Sequence, residues 1–325
     1  MQIKISELRE KIIMLLKNMS AADAAIVADY LVWAEMSGIS TQGIVKLSGN
    51  SSLQNIIPKH PIKIERETGV SAVLDGGINV GILVSDRAAE IAIEKARANG
   101  IAIVGVRNIF SSNGAQSYYV EKIARADLVG IMCSRSPGTV APFGSIDPLF
   151  GTNPVGYAFP TTGDPIVFDA ATSAMTFYGL VVAKARGEKI PAGIGTDKNG
   201  NPTINPGDVI DGGAVTPFGN SYKAAGFGML VELLSGPLIG GAFLDYKTFD
   251  QEWGATIIAI NPAILTDLDK FKKSCSEFVA TIRNSRTRAG GKIRMPHDQA
   301  RRLYASAAAT GMVEVDDVIY NSIFK

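Results

Sequence analysis

Apolar side chains in the N-terminal part of the chain recur at helical spacing, in two runs. The first run includes Leu8 and Ile12, and the second follows Ser20 and ends at Gly38. This spacing places the apolar side chains on one face of a helix, and a serine before such a run is a common N-cap. The pattern predicts two helices, and an extended, turn-rich stretch should follow over residues 55–77.

Between residues 71 and 261, apolar runs of strand length alternate with longer amphipathic runs. Strands are predicted at 72–74, 101–106, 128–133, 166–168 and 255–260, and helices at 83–99, 117–126 and 224–234. A further helix is expected to begin near Thr172. Residues 144–165 are predicted to be rich in loops, and residues 191–221, which carry many glycines and prolines, to form a long irregular segment. Strands that alternate with helices indicate an α/β unit.

Helical periodicity returns after residue 261. Two helices are predicted, at 267–286 and 298–309. Because helical segments flank the α/β unit on both sides, we expect residues 1–70 and 262–325 to pack together as one helical domain beside an α/β domain of residues 71–261.

The amino-acid composition argues against several classes of binding partner. The 325 residues include 32 Lys and Arg against 31 Asp and Glu, so the net charge is +1 and predicts neither a nucleic-acid nor an anionic-membrane partner. No signal-peptide core follows the N-terminus, and the apolar stretch 227–244 contains Glu232 and Pro237 and is too short to span a bilayer. With only two cysteines, a reducing compartment is expected, and we predict the cytoplasm.

Motifs for metal, serine-triad and standard nucleotide sites are missing. His60 and His297 are the only histidines, and Cys133 and Cys275 lie far apart, so no zinc-site spacing occurs and we predict no metal. Neither histidine stands in a motif that would place it beside a serine nucleophile. The chain also lacks both G-x-G-x-x-G and G-x-x-x-x-G-K-[ST], which argues against a Rossmann or P-loop site.

Other segments could bind an anion. Residues 169–173, predicted between a strand and a helix, would offer free N–H groups at a helix start, or could simply cap that helix. Lys223, just before a predicted helix, could neutralise a phosphate or be solvated. The basic run over residues 283–294 is expected to face solvent, although one member could hold a phosphate or carboxylate.

These segments carry a resemblance that covers nearly the whole chain. The shared motifs lie at residues 34–43, 105–108, 151–154 (Gly-Thr-Asn-Pro), 169–173 (Asp-Ala-Ala-Thr-Ser), 190–191, 217–219, 222–223 and 294–296. In them the chain resembles the malate/L-lactate dehydrogenases that lack a Rossmann fold. That family includes ureidoglycolate and sulfolactate dehydrogenases, diketogulonate reductase and Δ1-piperideine-2-carboxylate reductase.

The resemblance implies a non-Rossmann, malate/L-lactate dehydrogenase-like α/β fold. Residues 71–261 would bind NADPH or NADH, residues 1–70 with 262–325 would bind a small-molecule substrate, and two copies would form a homodimer. Hydride would pass between the nicotinamide and a 2-oxo acid or cyclic imine. By position, the cofactor-binding residues would be Val167, Phe168, Asp169, Ala170, Ala171, Thr172, Ser173, Tyr222, Lys223, His297, Asp298 and Gln299.

The chain departs from the family at a proposed proton donor. The family has Ser-His-Gly, then an arginine three residues after the glycine and a tyrosine four beyond that. The corresponding residues here are Thr41, Gln42, Gly43, Lys46 and Asn50. An amide can donate a hydrogen bond but cannot release its proton near pH 7. Lys46 could bind a substrate carboxylate as a point charge.

A second family histidine falls on Ser111 or Ser112. The catalytic positions would therefore be Gln42, Lys46, Ser111 and Ser112, and the substrate ligands Thr41, Lys46 and Asn153. Reduction of a ketone requires a proton for the developing alkoxide, whereas a protonated iminium already carries its proton. Reduction of a cyclic imine or enamine acid would therefore survive the loss of both histidines.

Three functions stay open at this point. The first is an NAD(P)-dependent reductase of an imine acid or a 2-oxo acid, which the retained Gly-Thr-Asn-Pro motif, Asp169 and Lys223 favour. The second is a family member that binds a nucleotide or metabolite without turnover. The third is non-redox chemistry that uses Lys46, Lys223, Tyr118 or Tyr119.

Overall fold

The computed structural model of the protein describes residues 1–49, 52–241, 253–288 and 290–325, so Asn50 lies outside the described residues. The helices are α1 (Ile5–Leu15), α2 (Ala21–Met36), α3 (Gly81–Asn99), α4 (Gln116–Ala124), α5 (Phe177–Arg186), α6 (Pro206–Ile210), α7 (Tyr222–Ser235), α8 (Leu268–Arg283), α9 (Asp298–Thr310) and α10 (Asp317–Phe324). The strands are β1 (Gln2–Lys4), β2 (Lys63–Glu67), β3 (Ser71–Val80), β4 (Ile101–Phe110), β5 (Val129–Arg135), β6 (Val155–Phe159), β7 (Ile166–Ala170), β8 (Gly195–Thr196), β9 (Pro202–Thr203), β10 (Ala214–Val215), β11 (Gly254–Ile260) and β12 (Met312–Glu314).

Seven strands form the central sheet in the order β2-β3-β4-β11-β5-β6-β7. Only β3 and β4 run parallel, and α3 makes the crossover between them. Every other neighbouring pair is antiparallel, with β11 inserted between β4 and β5 so that Ile257 stands opposite Val104 and Met132. The predicted α/β class is confirmed, and the sheet is mixed rather than the parallel sheet of a Rossmann domain.

Local signals placed many of these elements correctly. Ser20 caps α2, since its hydroxyl accepts the N–H of Asp23 at 3.2 Å. Gly100 ends α3 with a φ of 87°, a conformation that glycine adopts without the cost that a Cβ would bring. The sequence pattern did not predict β1, β2, β12 or α10.

The stretch 144–165, predicted to be rich in loops, also contains the strand β6, which the sequence pattern did not predict. It pairs with β5 on one side and β7 on the other. A Cβ on Gly156 would lie 2.5 Å from the Cβ of Gln116, so the strand needs a glycine where α4 packs against it. That glycine and the flanking prolines hid the strand pattern.

The expected helix start near Thr172 is wrong. The chain after β7 is irregular, with bends at residues 172, 174 and 175, and α5 begins only at Phe177, after the N-cap Thr176. The N–H of Thr172 donates to the carbonyl of Thr152 at 3.0 Å, and the Ser173 hydroxyl donates to the carbonyl of Met175 at 2.7 Å. Residues 169–173 therefore do not form a helix N-terminus, and the predicted helix-dipole anion site is absent there.

Both ends of the chain pack on the sheet. β1 pairs with β12, with Ile3 opposite Val313, and the larger apolar core contains Leu31 from α2, Val104 from the sheet and Val315 near the C-terminus. The two ends of the chain therefore meet at this strand pair and share that core. The functional division into residues 1–70 with 262–325 and residues 71–261 stays a prediction.

A smaller apolar cluster supports the irregular region between α5 and α7. Its members are Val140, Leu180, Ala183, Ile190, Val209 and Val215. The short strands β8, β9 and β10 form a separate three-stranded sheet within this region. The predicted loop at 191–221 is therefore packed on its own core.

A buried carboxyl group on α2 fixes the turn that carries Thr41 to Lys46. Glu35 is 6% exposed, and its Oε1 accepts the N–H of Ile44 at 2.7 Å. A Cβ on Gly43 would lie 1.9 Å from that oxygen, so only glycine leaves room for it. Burial raises the pKa of Glu35 to about 7, and the Ile44 hydrogen bond partly opposes this change.

We predict that Glu35→Gln stabilises the protein above neutral pH. The pKa of the folded carboxyl, about 7, exceeds its ordinary value of 4.5, so its contribution to stability is greatest below pH 4.5 and declines as the pH rises to about 7. The amide oxygen of glutamine still accepts the Ile44 N–H. The variant should gain on the order of 2 kcal/mol in the free energy of unfolding at about pH 8.

Urea denaturation across this pH range measures the effect. Glu94→Gln, an exposed change on α3, is the matched control and should leave the wild-type pH dependence in place. An unchanged pH dependence in Glu35→Gln would show that the Glu35 carboxyl does not titrate as inferred.

Candidate functional site

A cavity of about 460 Å³ lies at one edge of the central sheet. The chain segments that follow β4, β5 and β7 meet there with the segment that follows α2 and with α5. Phe110, Phe177 and Trp253 contribute aromatic surface to its walls. A partly apolar cavity of this volume is typical of small-molecule sites.

The cavity brings together predicted residues from three distant parts of the sequence. The predicted site residues that line it are Thr41, Gln42, Ser111, Ser112, Asp169, Ala170 and Ala171. Gln42 Oε1 is buried and, within the described part of the chain, has no hydrogen-bond partner. Ser112 Oγ accepts the N–H of Gly114 at 3.0 Å, which leaves its hydroxyl proton for a ligand. The site therefore offers both an acceptor and a donor.

Ser111 has strained backbone geometry at the end of β4. Its φ is 93°, in a region that disfavours residues with a Cβ, and its Oγ accepts the N–H of Gly81 at 3.2 Å. Positive φ values at non-glycine residues cluster at functional sites in proteins. The bond to Gly81 connects the cavity wall to the first turn of α3.

Lys46 lies behind the cavity wall rather than on it. The residue is 1% exposed, and its Nζ lies 4.2 Å from the ring centroid of Tyr178, which does line the cavity. Among the described residues, Nζ has no hydrogen-bond partner. Burial lowers the pKa of Lys46 to about 7. The Lys46 amine therefore does not line the cavity itself, and it contacts a residue that does, Tyr178.

A buried carboxylate holds the Gly-Thr-Asn-Pro loop. Glu232 Oε1 accepts the N–H of Gly151 at 3.0 Å and Nδ2 of Asn153 at 2.8 Å, and Oε2 accepts Nε of Arg135 at 2.9 Å. Asn153 Nδ2 also donates to the carbonyl of Gly228 at 3.1 Å. Asn153, proposed as a substrate ligand, thus directs its amide N–H groups into the protein and does not line the cavity.

The segment predicted to bind cofactor begins in the sheet. Val167 is buried in the core, and Phe168 stacks on Tyr157 with ring centroids 4.9 Å apart. Asp169 Oδ2 accepts the N–H of Ser117 at 3.0 Å and its hydroxyl at 3.2 Å. Burial raises the pKa of Asp169, and these hydrogen bonds oppose the change. Thr172 and Ser173 are buried beyond the cavity wall.

Tyr222 and Lys223 lie away from this cavity, on the first turn of α7. Tyr222 is 67% exposed, and Lys223 is also exposed. Ser221 caps the helix, since its hydroxyl accepts the N–H of Ala224 at 3.3 Å. The helix predicted after Pro217–Gly219 is thus present, and within one chain its first turn does not reach the cavity residues.

His297, Asp298 and Gln299 also lie outside the cavity, at the start of α9. His297 Nε2 lies 3.4 Å from Glu121 Oε2, on a separate groove of about 520 Å³. Asp298 forms an ion pair with Arg283, with N–O distances of 2.6 and 3.1 Å. Gln299 Oε1 accepts a hydrogen bond from an arginine, Arg294, at 2.7 Å. A role for these residues in cofactor binding stays a prediction.

Several lining residues were not predicted from the sequence. They are Ser134, Ser136, Thr139, Thr176 and Tyr178. The two serines directly follow the predicted strand 128–133, so polar residues at a strand end were an available signal. Tyr178 carried no such signal, since it stands in the first turn of a helix.

The residues present fit the nicotinamide group that the resemblance implies. Gln42 Oε1 could accept from a carboxamide, the Ser112 hydroxyl could donate to one, and aromatic walls could cover a ring. In the described ranges, no group of three or more histidine, cysteine or acidic residues could hold a metal ion. No helix in these ranges is long and apolar enough to cross a membrane.

Comparisons with known proteins identify the family. Residues 3–323 match a family model described as malate/L-lactate dehydrogenase. A malate dehydrogenase from Pyrococcus abyssi is 37% identical over 81% of this chain and 76% of its own length. A Δ1-pyrroline-2-carboxylate/Δ1-piperideine-2-carboxylate reductase from Pseudomonas putida is 32% identical over 87% of this chain and 84% of its own length.

Solved structures show the same fold. The sulfolactate dehydrogenase of Methanocaldococcus jannaschii superposes with a TM-score of 0.86 at 30% identity, over 99% of this chain and 95% of that one. The match extends over both terminal segments and the sheet. The chain therefore belongs to the malate/L-lactate dehydrogenase family, whose members are oxidoreductases that act on acids.

Proposed function

We propose that the protein is a nicotinamide-dependent reductase that acts in this cavity on a cyclic imine or enamine acid, or on a 2-oxo acid. The observation that carries the proposal is the meeting of Gln42, Ser111, Ser112 and Asp169 on one cavity, with no histidine among its described lining residues. Relatives that act on malate and on Δ1-pyrroline-2-carboxylate support both substrate classes.

The chain's own residues would bind and orient the reactants. Reduced nicotinamide, when bound, supplies the hydride. Gln42 Oε1 and the Ser112 hydroxyl would hold polar groups, and the aromatic walls would limit water. An iminium needs no proton from the protein, so we propose that imine acids are the better substrates.

The two tyrosines considered for non-redox chemistry, Tyr118 and Tyr119, lie elsewhere. Tyr119 is fully buried, and its hydroxyl donates to the carbonyl of Asn113 at 2.6 Å. Tyr118 packs edge-on against Tyr30 and Trp33, with ring centroids 5.1 and 5.0 Å away. Neither tyrosine lines the cavity, which favours the reductase over the non-redox alternative.

Substrate preference tests the proposed function. We predict that NADPH or NADH is oxidised faster with Δ1-piperideine-2-carboxylate than with pyruvate or oxaloacetate. Gln42→His restores a titratable group on the cavity wall and should raise kcat for the 2-oxo acids by about tenfold or more. Its rate with the imine should stay within about threefold of wild type.

Gln2→His, an exposed change in β1, is the control for an added histidine and should change neither rate. A wild-type enzyme that reduces pyruvate or oxaloacetate well and imines poorly would contradict the preference. Enhanced NADPH fluorescence without turnover would favour a binding protein. No binding of either reduced cofactor would favour non-redox chemistry.

We also propose a homodimer formed through α7. Large apolar side chains on and just after this helix are exposed: Phe227 by 54%, Met229 by 54%, Leu230 by 47%, Leu233 by 47% and Leu238 by 62%. The spacing from Phe227 through Leu230 to Leu233 places them along one side of the helix. A contiguous apolar surface of this kind is typical of protein interfaces.

Leu233→Asp should convert the dimer to a monomer, because it places a charge in the apolar contact. Light scattering coupled to size-exclusion chromatography measures the mass. Leu265→Asp, at a position 82% exposed and away from α7, is the control and should remain dimeric. A monomeric wild type, or a dimeric Leu233→Asp, would refute the proposed interface.

A further inference from the structure

The cavity contains few groups that could supply a proton. Among the described residues that line it, only Asp169 and Tyr178 have acidic or basic side chains. Burial raises the pKa of Asp169, and two hydrogen bonds from Ser117 to its Oδ2 oppose that change, so this oxygen is already engaged with the protein. Tyr178 carries a phenolic hydroxyl, which is protonated at neutral pH because burial raises its pKa.

Lys46 lies where it would stabilise an ionised Tyr178. Its Nζ is 4.2 Å from the ring centroid, and the side chain is shielded from solvent. An ammonium group over a ring face is attracted to the π electrons. That attraction increases when the phenol loses its proton, because the negative charge spreads into the ring and little water screens it.

Among the described residues, no carboxylate on the packed helices pairs with the Lys46 amine. Glu35 on α2 accepts the N–H of Ile44, and Asp316 before α10 forms an ion pair with Arg186 on α5. Neither carboxylate contributes to the lowered pKa of Lys46, for which burial is the cause. Within the described part of the chain, the electrostatic contact of the Lys46 amine is therefore the cation–π contact with the Tyr178 ring.

We infer that Tyr178 is the proton donor when the protein reduces a 2-oxo acid, and that Lys46 is a positioning residue that stabilises the resulting phenolate. The inference rests on the proposed function. As hydride from the reduced nicotinamide bonds to the carbonyl carbon, the C=O π pair moves to oxygen. The Tyr178 Oη–H bond breaks, and its proton forms the hydroxyl of the 2-hydroxy acid. The phenolate beside Lys46 then regains a proton from solvent.

The donor role is tested by Tyr178→Phe, assayed with a 2-oxo acid and a cyclic imino acid in parallel. The variant should lose about 100-fold in kcat with the 2-oxo acid. It should stay within about threefold of wild type with the imine, which brings its own proton. NADPH and NADH binding, measured by fluorescence, should not change. Tyr304→Phe, on α9 and 41% exposed, is the matched control.

The Lys46 role is tested in the ligand-free protein. A fluorinated tyrosine placed at position 178 ionises nearer neutral pH than tyrosine does, and its ¹⁹F chemical shift reports that ionisation. Lys46→Met should make this phenol about tenfold weaker as an acid, whereas Lys46→Arg keeps the charge and should restore most of its acidity. Lys198→Met, at an exposed position, should have no effect.

The outcomes separate this inference from the proposed function. Unchanged 2-oxo acid reduction in Tyr178→Phe, or a wild type that reduces imines but no 2-oxo acid, would overturn the donor role and leave the reductase intact. Identical ¹⁹F titrations in wild type and Lys46→Met would overturn the Lys46 role. A protein that binds neither reduced cofactor and reduces neither substrate would remove both the proposed function and the donor role.

Discussion

The carboxylate of Glu232 is the interaction on which the shape of the site depends. It joins three elements, since it bonds Arg135 at the end of β5 and the Gly151–Asn153 loop from its place on α7. Removal of one partner from a buried ion pair leaves a charge without compensation, which costs several kcal/mol. Asn153 is held with a φ of 45°, and its neighbours Thr152 and Pro154 line the cavity. The hydrogen bonds of Glu232 therefore hold the part of the cavity wall that Thr152 and Pro154 form.

The same connection explains what the Gly-Thr-Asn-Pro motif does in this chain. A Cβ on Gly151 would lie 2.4 Å from Ser136 Oγ and 2.6 Å from Asn153 Oδ1, so the loop requires glycine there. The motif therefore contributes Thr152 and Pro154 to the cavity wall and holds that wall in place through Asn153. Gln42, Ser112 and Tyr178 line other parts of the cavity. The described residues that line the cavity include no histidine.

Local sequence patterns predicted much of the fold. The errors arose where contacts between residues distant in the sequence determine the local structure. Apolar periodicity located most of the helices and most strands of the central sheet, and the motif order indicated the family, which the comparisons confirm. Thr172 has the chemistry of an N-cap, but its N–H and hydroxyl both donate to the carbonyl of Thr152, twenty residues away. Cofactor choice, the homodimer and the compartment stay predictions.

The site was predictable only where residues could be matched to motifs. Thr41, Gln42 and the two serines after β4 were located in this way, and they meet on one cavity. Tyr178 and Lys46 are 132 positions apart and share no motif, so their contact emerges only in three dimensions. Sequence alone could not show that the amine approaches the site through an aromatic ring.

The most direct test is a crystal structure with NADPH or NADH and an unreactive 2-oxo acid analogue. We predict that the nicotinamide ring lies in the cavity beside Gln42 and Ser112, with Tyr178 Oη within hydrogen-bond distance of the analogue's keto oxygen. A nicotinamide ring bound in the groove beside His297, or a keto oxygen with no contact to Tyr178, would contradict this assignment.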